Sequence, residues 1–204
     1  MLLFFDTETT DRVVLGVYPI CIQLAWATET RENVTTRLVK TDARIAPGAQ
    51  KIHGISAQKL KAEGEEPARV YADFLQDVRT CTHLVAHNAQ FDRNVILRSL
   101  RHARVHEDEI RMFENKPFVC TMRLLTPVTK LPHTRAPAFK RARASAKPRY
   151  KWPKLCEAAD FFGLDFDSDA AHDAGYDVQM LKRVYQCMAR HPAFKTTKKA
   201  LRPK

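Results

Sequence analysis

Short apolar segments that stop at polar residues recur along this chain, and they constrain its fold more than any other feature. The first is Leu2–Asp6, and a buried strand of this kind is about four to eight residues long and ends in polar or turn residues. Four further segments are rich in β-branched residues or alternate between apolar and polar residues. The predicted strands are 2–6, 19–28, 33–40, 83–86 and 118–121.

Apolar residues at helical spacing occur between and after the later strands. Ser56 is suited to cap a short helix, and Gly163 is suited to end another. The predicted helices are 56–61, 67–78, 88–103, 153–162 and 173–188, and 46–56 is predicted to be an ordered loop. Strands that first follow one another and then alternate with helices predict an α/β domain, with a mixed five-stranded sheet flanked by helices.

The length of 204 residues suits a single domain, which we place at 1–190. Residues 127–151 contain four prolines and little periodicity, and we interpret them as a long, flexible, basic insertion. Residues 191–204 are predicted to form a basic tail. The chain carries a net charge of +11, and nine Lys or Arg without any acid fall between Pro127 and Cys156. Such a balance predicts an anionic partner, most simply nucleic acid.

Five cysteines are widely spaced and form no C-x-x-C pair, which argues against a disulfide framework and against a zinc site. No apolar run approaches the roughly 18 residues that span a bilayer. The N-terminus has no cationic start and only a short apolar stretch, so a signal peptide is not expected. We therefore expect an intracellular, reducing compartment, either cytoplasm or nucleus.

Asp6 and Glu8 lie at the end of the first predicted strand as D-x-E. Residues i and i+2 of a strand point to the same side, so the two carboxylates project together. Adjacent carboxylates stay ionised only if a cation compensates them, and oxygen ligands suit Mg²⁺ or Mn²⁺. Taken alone, this pair is also compatible with solvated acids in a turn.

Two later segments add to this acidic pair. Asp92 lies in the first turn of a predicted helix, where a carboxylate could equally satisfy free backbone N–H groups, and Asn88 is suited to cap that helix. His172 and Asp177 are five residues apart at the start of the last helix. A neutral imidazole there could take a proton from water, or could have no role. Together, four carboxylates at strand ends and helix starts are able to hold two metal ions about 3.5–4 Å apart.

The segments FFDTETT, HNAQFDRN and HDAGYDVQ occur in this order and resemble the three exonuclease motifs of the DEDD superfamily. A histidine five residues before the last Asp is typical of the DEDDh, or DnaQ-like, subclass. The resemblance implies an RNase H-like fold, two Mg²⁺ or Mn²⁺ ions, and 3′→5′ release of nucleoside 5′-monophosphates. It implies that Asp6, Glu8, Asp92 and Asp177 are metal ligands and that His172 is the general base.

The resemblance also implies contacts to the terminal nucleotide. Its candidates are Thr7, Thr9, His53, Ile55, Asn88 and Phe91. Ile55 and Phe91 are equally compatible with core packing. Asp11 stands where glycine is usual after D-T-E-T-T, which affects the turn after the first strand.

The basic insertion could hold single-stranded substrate, since basic residues interleaved with aromatic ones suit single strands. Its candidate substrate contacts are Lys140, Arg141, Arg143 and Arg149. A solvated loop and a nuclear-localisation signal are the alternatives.

The substrate class stays open between DNA, which we favour, and RNA. A role in proofreading, repair or trimming is possible, with a polymerase as a potential partner. A catalytically silent nucleic-acid-binding or polymerase-associated module, and an endonuclease or transposase on the same fold, are the competing hypotheses.

Overall fold

A computed structural model describes residues 1–133 and 150–194, which form a five-stranded mixed sheet covered by helices on both faces. The strand order is β3-β2-β1-β4-β5. Strand β1 pairs antiparallel with β2 and parallel with β4, which continues parallel to β5. The strands are β1 Leu2–Thr9, β2 Cys21–Thr28, β3 Thr35–Leu38, β4 His83–Ala86 and β5 Phe118–Cys120. The predicted α/β class and mixed sheet are confirmed.

The helices divide between the two faces of this sheet. Leu3 and Phe5 of β1 pack with residues of α3, α4 and α5, whereas Phe4 packs with residues of α8. This division follows from the two-residue period of a strand. The helices are α1 Pro47–His53, α2 Ala57–Glu63, α3 Pro67–Thr80, α4 Ala89–His102, α5 Glu107–Glu114, α6 Thr121–Thr129, α7 Leu155–Phe161 and α8 Ala174–Arg190.

Three helices were not predicted from the sequence. Helix α1 lies within the predicted loop 46–56, and α5 and α6 flank β5. The predicted insertion starts too early, because α6 continues through Pro127 to Thr129. The predicted tail also starts too early, since Phe194 is buried against α8 in a short 3₁₀ helix, Pro192–Phe194.

All five cysteines are free thiols, as predicted. Within residues 1–133 and 150–194, no helix is long and apolar enough to cross a bilayer. Gly54 ends α1 with a φ of 70°, a left-handed conformation that glycine adopts without steric cost.

Candidate active site

Strand β1 places Asp6 and Glu8 on the sheet face that α8 covers. Both residues continue the alternation that begins with Phe4, which packs against α8. Their side chains are partly buried. The pairing with β2 shifts register between Glu8 and Thr9, so the strand becomes irregular directly after the second carboxylate.

Asp92 reaches this strand from α4, in whose first turn it lies. Its side chain is buried, with 3% exposure. The hydroxyl of Thr7 donates a hydrogen bond of 2.9 Å to Asp92 Oδ1. Thr7 therefore holds the carboxylate from α4 beside the two carboxylates of β1.

The start of α8 supplies His172 and Asp177 from one short segment. His172 is exposed and has a φ of 66°, an uncommon conformation for a residue with a side chain. Asp173 caps the helix by accepting a hydrogen bond from Tyr176 N at 3.0 Å. Asp177 lies in the first turn of the helix, as predicted, and is partly buried.

Gln23 of β2 connects this segment to the sheet. Its Nε2 donates to Asp173 Oδ2 at 2.9 Å, and its Oε1 accepts from Ala174 N at 3.1 Å. The nitrogen and the oxygen of this buried amide therefore both form hydrogen bonds, one to each of two consecutive residues. Gln23 also lies opposite Glu8 in the β1–β2 pairing. The amide therefore aligns the start of α8 with the strand that carries Asp6 and Glu8.

The four carboxylates disfavour one another's ionised forms. Burial and the charges of Asp92 and Asp177 raise the pKa of Asp6 well above its usual range. Burial and the charge of Asp177 raise the pKa of Glu8 to about 8. Burial raises the pKa of Asp92 to about 7 and that of Asp177 to about 6.

This donor set fits hard divalent cations. Ligand atoms of Glu8, His172 and Asp177 all lie within 4.8 Å of one another. Among residues 1–133 and 150–194, no Lys or Arg forms a salt bridge with any of the four carboxylates. Crowded, partly buried carboxylates without a basic partner are what a divalent cation with oxygen ligands requires.

A cleft of about 590 Å³ opens beside Glu8, a volume within the range of ligand pockets. It is bounded by the end of β1, by α1 and by Phe91 of α4. Ile52 of α1 lines it and is 58% exposed, so its side chain presents apolar surface to the cleft. The cleft therefore combines apolar walls with a carboxylate edge.

His53 forms one wall of this cleft and has a defined tautomer. Its Nδ1 accepts from Ile55 N at 3.0 Å, so its Nε2 carries the proton and donates to Thr9 O at 3.2 Å. Burial lowers the pKa of His53, which favours this neutral form. His53 thus links α1 to the end of β1.

The structure brings most of the predicted site residues together. Thr7, Thr9, His53 and Phe91 line the cleft beside Glu8. Ile55 does not line the cleft, because its side chain is buried with Ile22 and Leu60; this agrees with core packing, the alternative stated for Ile55 above.

Asn88 lies at the start of α4 in a left-handed conformation, with a φ of 73°, and its side chain makes no cap hydrogen bond. The predicted capping by Asn88 is therefore wrong, although the predicted position is right. Asp11 forms its turn without glycine, since its Oδ1 accepts from Arg12 N at 2.7 Å and its carbonyl accepts from the Thr9 hydroxyl. Lys140, Arg141, Arg143 and Arg149 lie outside the described residues.

Three residues that shape the site were not predicted. Gln23 and Asp173 hold the start of α8, and Ile52 lines the cleft. Asp173 directly follows His172 and is the first residue of the predicted helix 173–188, where an Asp is a recognisable signal for a cap. Gln23 offers no such signal, because a polar residue in a strand is ordinarily interpreted as facing solvent.

Comparison with known proteins places this geometry in context. The family model RNase_T, described as exonuclease, matches residues 3–185. Exonuclease I of E. coli in complex with a dT13 oligonucleotide superposes with a TM-score of 0.71 at 18% identity, over 98% of this chain and 43% of that chain. Exonuclease I from Methylocaldum szegediense gives a TM-score of 0.72 at 19% identity, over 97% and 42%.

Exonuclease X in complex with 5′ overhanging duplex DNA gives a TM-score of 0.57 at 21% identity, over 93% of this chain and 92% of that chain. The chain thus spans about two-fifths of the exonuclease I chains that it resembles and nearly all of exonuclease X. At these identities the likeness shows a common fold, the RNase H-like fold of exonuclease I. No curated protein matches the sequence.

Proposed function

This chain belongs to the RNase T family of exonucleases, a DEDD-type family, and from that membership we propose that it hydrolyses phosphodiester bonds stepwise from the 3′ end of single-stranded nucleic acid. The products are nucleoside 5′-monophosphates. The observation that carries the proposal is the convergence of Asp6, Glu8, Asp92 and Asp177 beside His172 and an open cleft. Three separate parts of the chain supply these side chains, in the order of the family's motifs.

Two Mg²⁺ or Mn²⁺ ions are the cofactors that this acidic set would hold. The ligands would be Asp6, Glu8, Asp92 and Asp177. Their pKa values are raised because burial and neighbouring carboxylates disfavour the ionised form, and a bound cation would stabilise that form. When bound, such ions lower the pKa of the attacking water and stabilise the leaving oxygen.

His172 is the proposed general base. It lies at the exposed entrance of the site, close to Glu8 and Asp177. An imidazole in this position accepts a proton from water, and a positioned base of this type contributes about 10²–10⁴-fold to the rate. Its backbone is held by the segment that Asp173 and Gln23 fix to the sheet.

The cleft beside Glu8 is the proposed site of the 3′-terminal nucleotide. Phe91 and Ile52 offer apolar surface to a base, and the Thr9–His53 contact closes the inner wall. DNA is the favoured substrate, because exonuclease I and exonuclease X are described with DNA bound. RNA is the alternative, and proofreading, repair and trimming are the roles to consider.

Positive charge outside the cleft supports this substrate class. The predicted contacts Lys140, Arg141, Arg143 and Arg149 would attract the phosphate chain of a long substrate. An intracellular location is consistent with five free thiols. A polymerase partner would be required only for a proofreading role.

The test of this proposal uses 5′-labelled single-stranded DNA and RNA of one sequence, incubated with Mg²⁺, Mn²⁺ or EDTA. We expect a ladder that shortens from the 3′ end, requires metal, and is lost in Asp177→Ala. The matched control is Asp160→Ala, which removes an exposed carboxylate from α7. If neither polymer shortens with any metal, the chain is better explained as a nucleic-acid-binding module. Cleavage of circular single strands would instead indicate an endonuclease.

A further inference from the structure

The two ends of the basic insertion meet beside α6. Lys151 N donates a backbone hydrogen bond of 2.9 Å to Leu131 O, so the residues just after the insertion contact those just after α6. The Lys151 side chain then forms an ion pair with Glu157 of α7, and Glu157 also accepts from Lys154 N at 2.8 Å. Residues 150–154 are therefore held in place between α6 and α7.

His87 fastens this segment to the sheet. Its Nε2 donates to Pro153 O at 2.9 Å, because a carbonyl only accepts, and its Nδ1 accepts from the Thr121 hydroxyl at 2.9 Å. Burial lowers the pKa of His87, in agreement with this neutral form. One ring thus joins the end of β4, the start of α6 and the segment before α7.

The position of His87 brings this segment close to the candidate active site. Val85 pairs with Phe4 in the parallel β1–β4 ladder, and both pack against α8. Asp6 lies two residues further along β1, and His87 lies two residues beyond Val85, directly after the end of β4, so the two residues are at corresponding levels of the sheet. Adjacent strands are about 4.8 Å apart. Pro153, whose carbonyl accepts from His87 at 2.9 Å, therefore lies on the β4 side of the strand that carries the carboxylates.

Trp152 directly precedes Pro153 and is 50% exposed, whereas Trp26, the second tryptophan of the chain, is 2% exposed. An indole is among the largest apolar surfaces that a protein can expose. Lys151, which is paired with Glu157, and the exposed Lys154 flank it in sequence. An exposed aromatic side chain between cations is a surface on which a nucleic-acid base stacks.

We propose that Trp152 is a stacking platform for an unpaired base of the substrate, on the 5′ side of the bond that is cleaved. This inference rests on the proposed function and adds a binding residue to it. The cleft for the terminal nucleotide is bounded by the end of β1 and by α1, whereas the segment that carries Trp152 is fastened through His87 at the end of β4, the strand beside β1. We expect a nucleic-acid strand whose 3′ end fills the cleft to pass the carboxylates of β1 and then to reach Trp152.

Stacking on Trp152 would be tolerant of sequence, since every base has a π-face. It would keep the strand in place after each terminal nucleotide is released. The geometry thus assigns to Trp152 a role in holding single-stranded substrate, separate from hydrolysis.

Intrinsic fluorescence tests this proposal directly, because Trp152 is the exposed one of two tryptophans. The full chain carrying Asp177→Ala is titrated with oligothymidylates of increasing length. We expect quenching of the exposed-tryptophan emission once the oligonucleotide is long enough to pass the carboxylates. A series of oligonucleotides should also be compared, each with an abasic site at a different distance from the 3′ end. We expect one of them to give no quenching, because it lacks the base that stacks on Trp152.

Affinity gives the second measurement. Trp152→Leu is expected to raise the Kd by roughly five- to 150-fold, the range that corresponds to losing one stacked base, and Trp152→Phe should retain most of the affinity. The matched control is Phe161→Leu, which replaces a different exposed aromatic side chain, at the end of α7. Unchanged affinity in Trp152→Leu, or emission that no oligonucleotide alters, would overturn the proposal.

The two proposals fail in different ways. Quenching and loss of affinity with no cleavage by the unsubstituted chain would support the stacking role and refute the exonuclease activity. Cleavage without quenching would do the reverse.

Discussion

At the scale of single residues, the acidic site opposes the folding of the chain when no cation is bound. An unfolded Asp or Glu has a pKa of about 4, whereas the folded values are about 6 for Asp177, 7 for Asp92 and 8 for Glu8. The folded chain therefore binds more protons than the unfolded chain between these limits. Its stability must fall as the pH rises through that window.

We expect the melting temperature of the metal-free protein to decrease from about pH 5 to pH 8. Mg²⁺ should raise it more at pH 8 than at pH 5, because protons compete with the cation for the same oxygens. Thermal unfolding with and without EDTA measures both effects. Asp92→Asn, which can still accept the Thr7 hydrogen bond, should reduce the pH dependence. A metal-free melting temperature that rises towards pH 8 would contradict the assignment.

At the scale of secondary-structure elements, the site depends on how α8 docks on the sheet. Gln23 joins β2 to the start of the helix. Gly175 lies so close to β3 that a Cβ there would be 2.5 Å from the Thr36 hydroxyl. Two strands therefore fix the first turn of the helix, and with it the positions of His172 and Asp177.

Gln23→Ala removes both hydrogen bonds and leaves the Asp173 carboxylate and the Ala174 N–H without this partner. We expect the free energy of unfolding to fall by about 1–3 kcal/mol. We also expect kcat to decrease by roughly 10- to 100-fold with little change in KM, because misplaced catalytic groups reduce the chemical rate. Steady-state kinetics measures the decrease, and Gln179→Ala, an exposed glutamine of α8, is the control.

The effect should be much smaller in a His172→Ala background, since residues that act as a unit are not additive. Equal decreases in both backgrounds would show that Gln23 acts only through general stability.

Sequence reasoning predicted the five strands, five of the helices and the order of the acidic motifs. It succeeded there because buried strands and amphipathic helices leave a regular apolar pattern. It missed α6, in which Pro127 interrupts the backbone hydrogen bonds while Leu124, Leu125 and Val128 remain packed in the core. It also missed Gln23, because a contact across 150 residues has no local sequence signal. Tertiary packing decides both cases.

At the scale of the whole molecule, charge is distributed unevenly. Residues 134–149 contain six Lys or Arg and no acid. The residues before and after this segment are joined by the hydrogen bond from Lys151 N to Leu131 O. A segment whose ends already meet is not needed to complete the sheet, and we expect it to act only in binding.

Replacing 134–149 with a short glycine linker should leave the melting temperature nearly unchanged and weaken binding to single-stranded DNA. If about four phosphate contacts are lost, the slope of log affinity against log salt should flatten by roughly 2.8. Fluorescence anisotropy at several salt concentrations measures this slope. The control replaces the six basic residues with Gln at constant length, and it should give the same flattening. An unaltered slope in both variants would show that the segment does not contact phosphate.

The origin of the site residues also bears on how the protein is made in a cell. Asp6 and Glu8 leave the ribosome with the first strand, whereas Asp177 arrives only with α8, the last long helix of the described chain. Phe4 stays uncovered until that helix packs on it. A partly synthesised chain therefore holds only part of the acidic set, and we expect it to hydrolyse nucleic acid only after α8 has been made and has packed on the sheet.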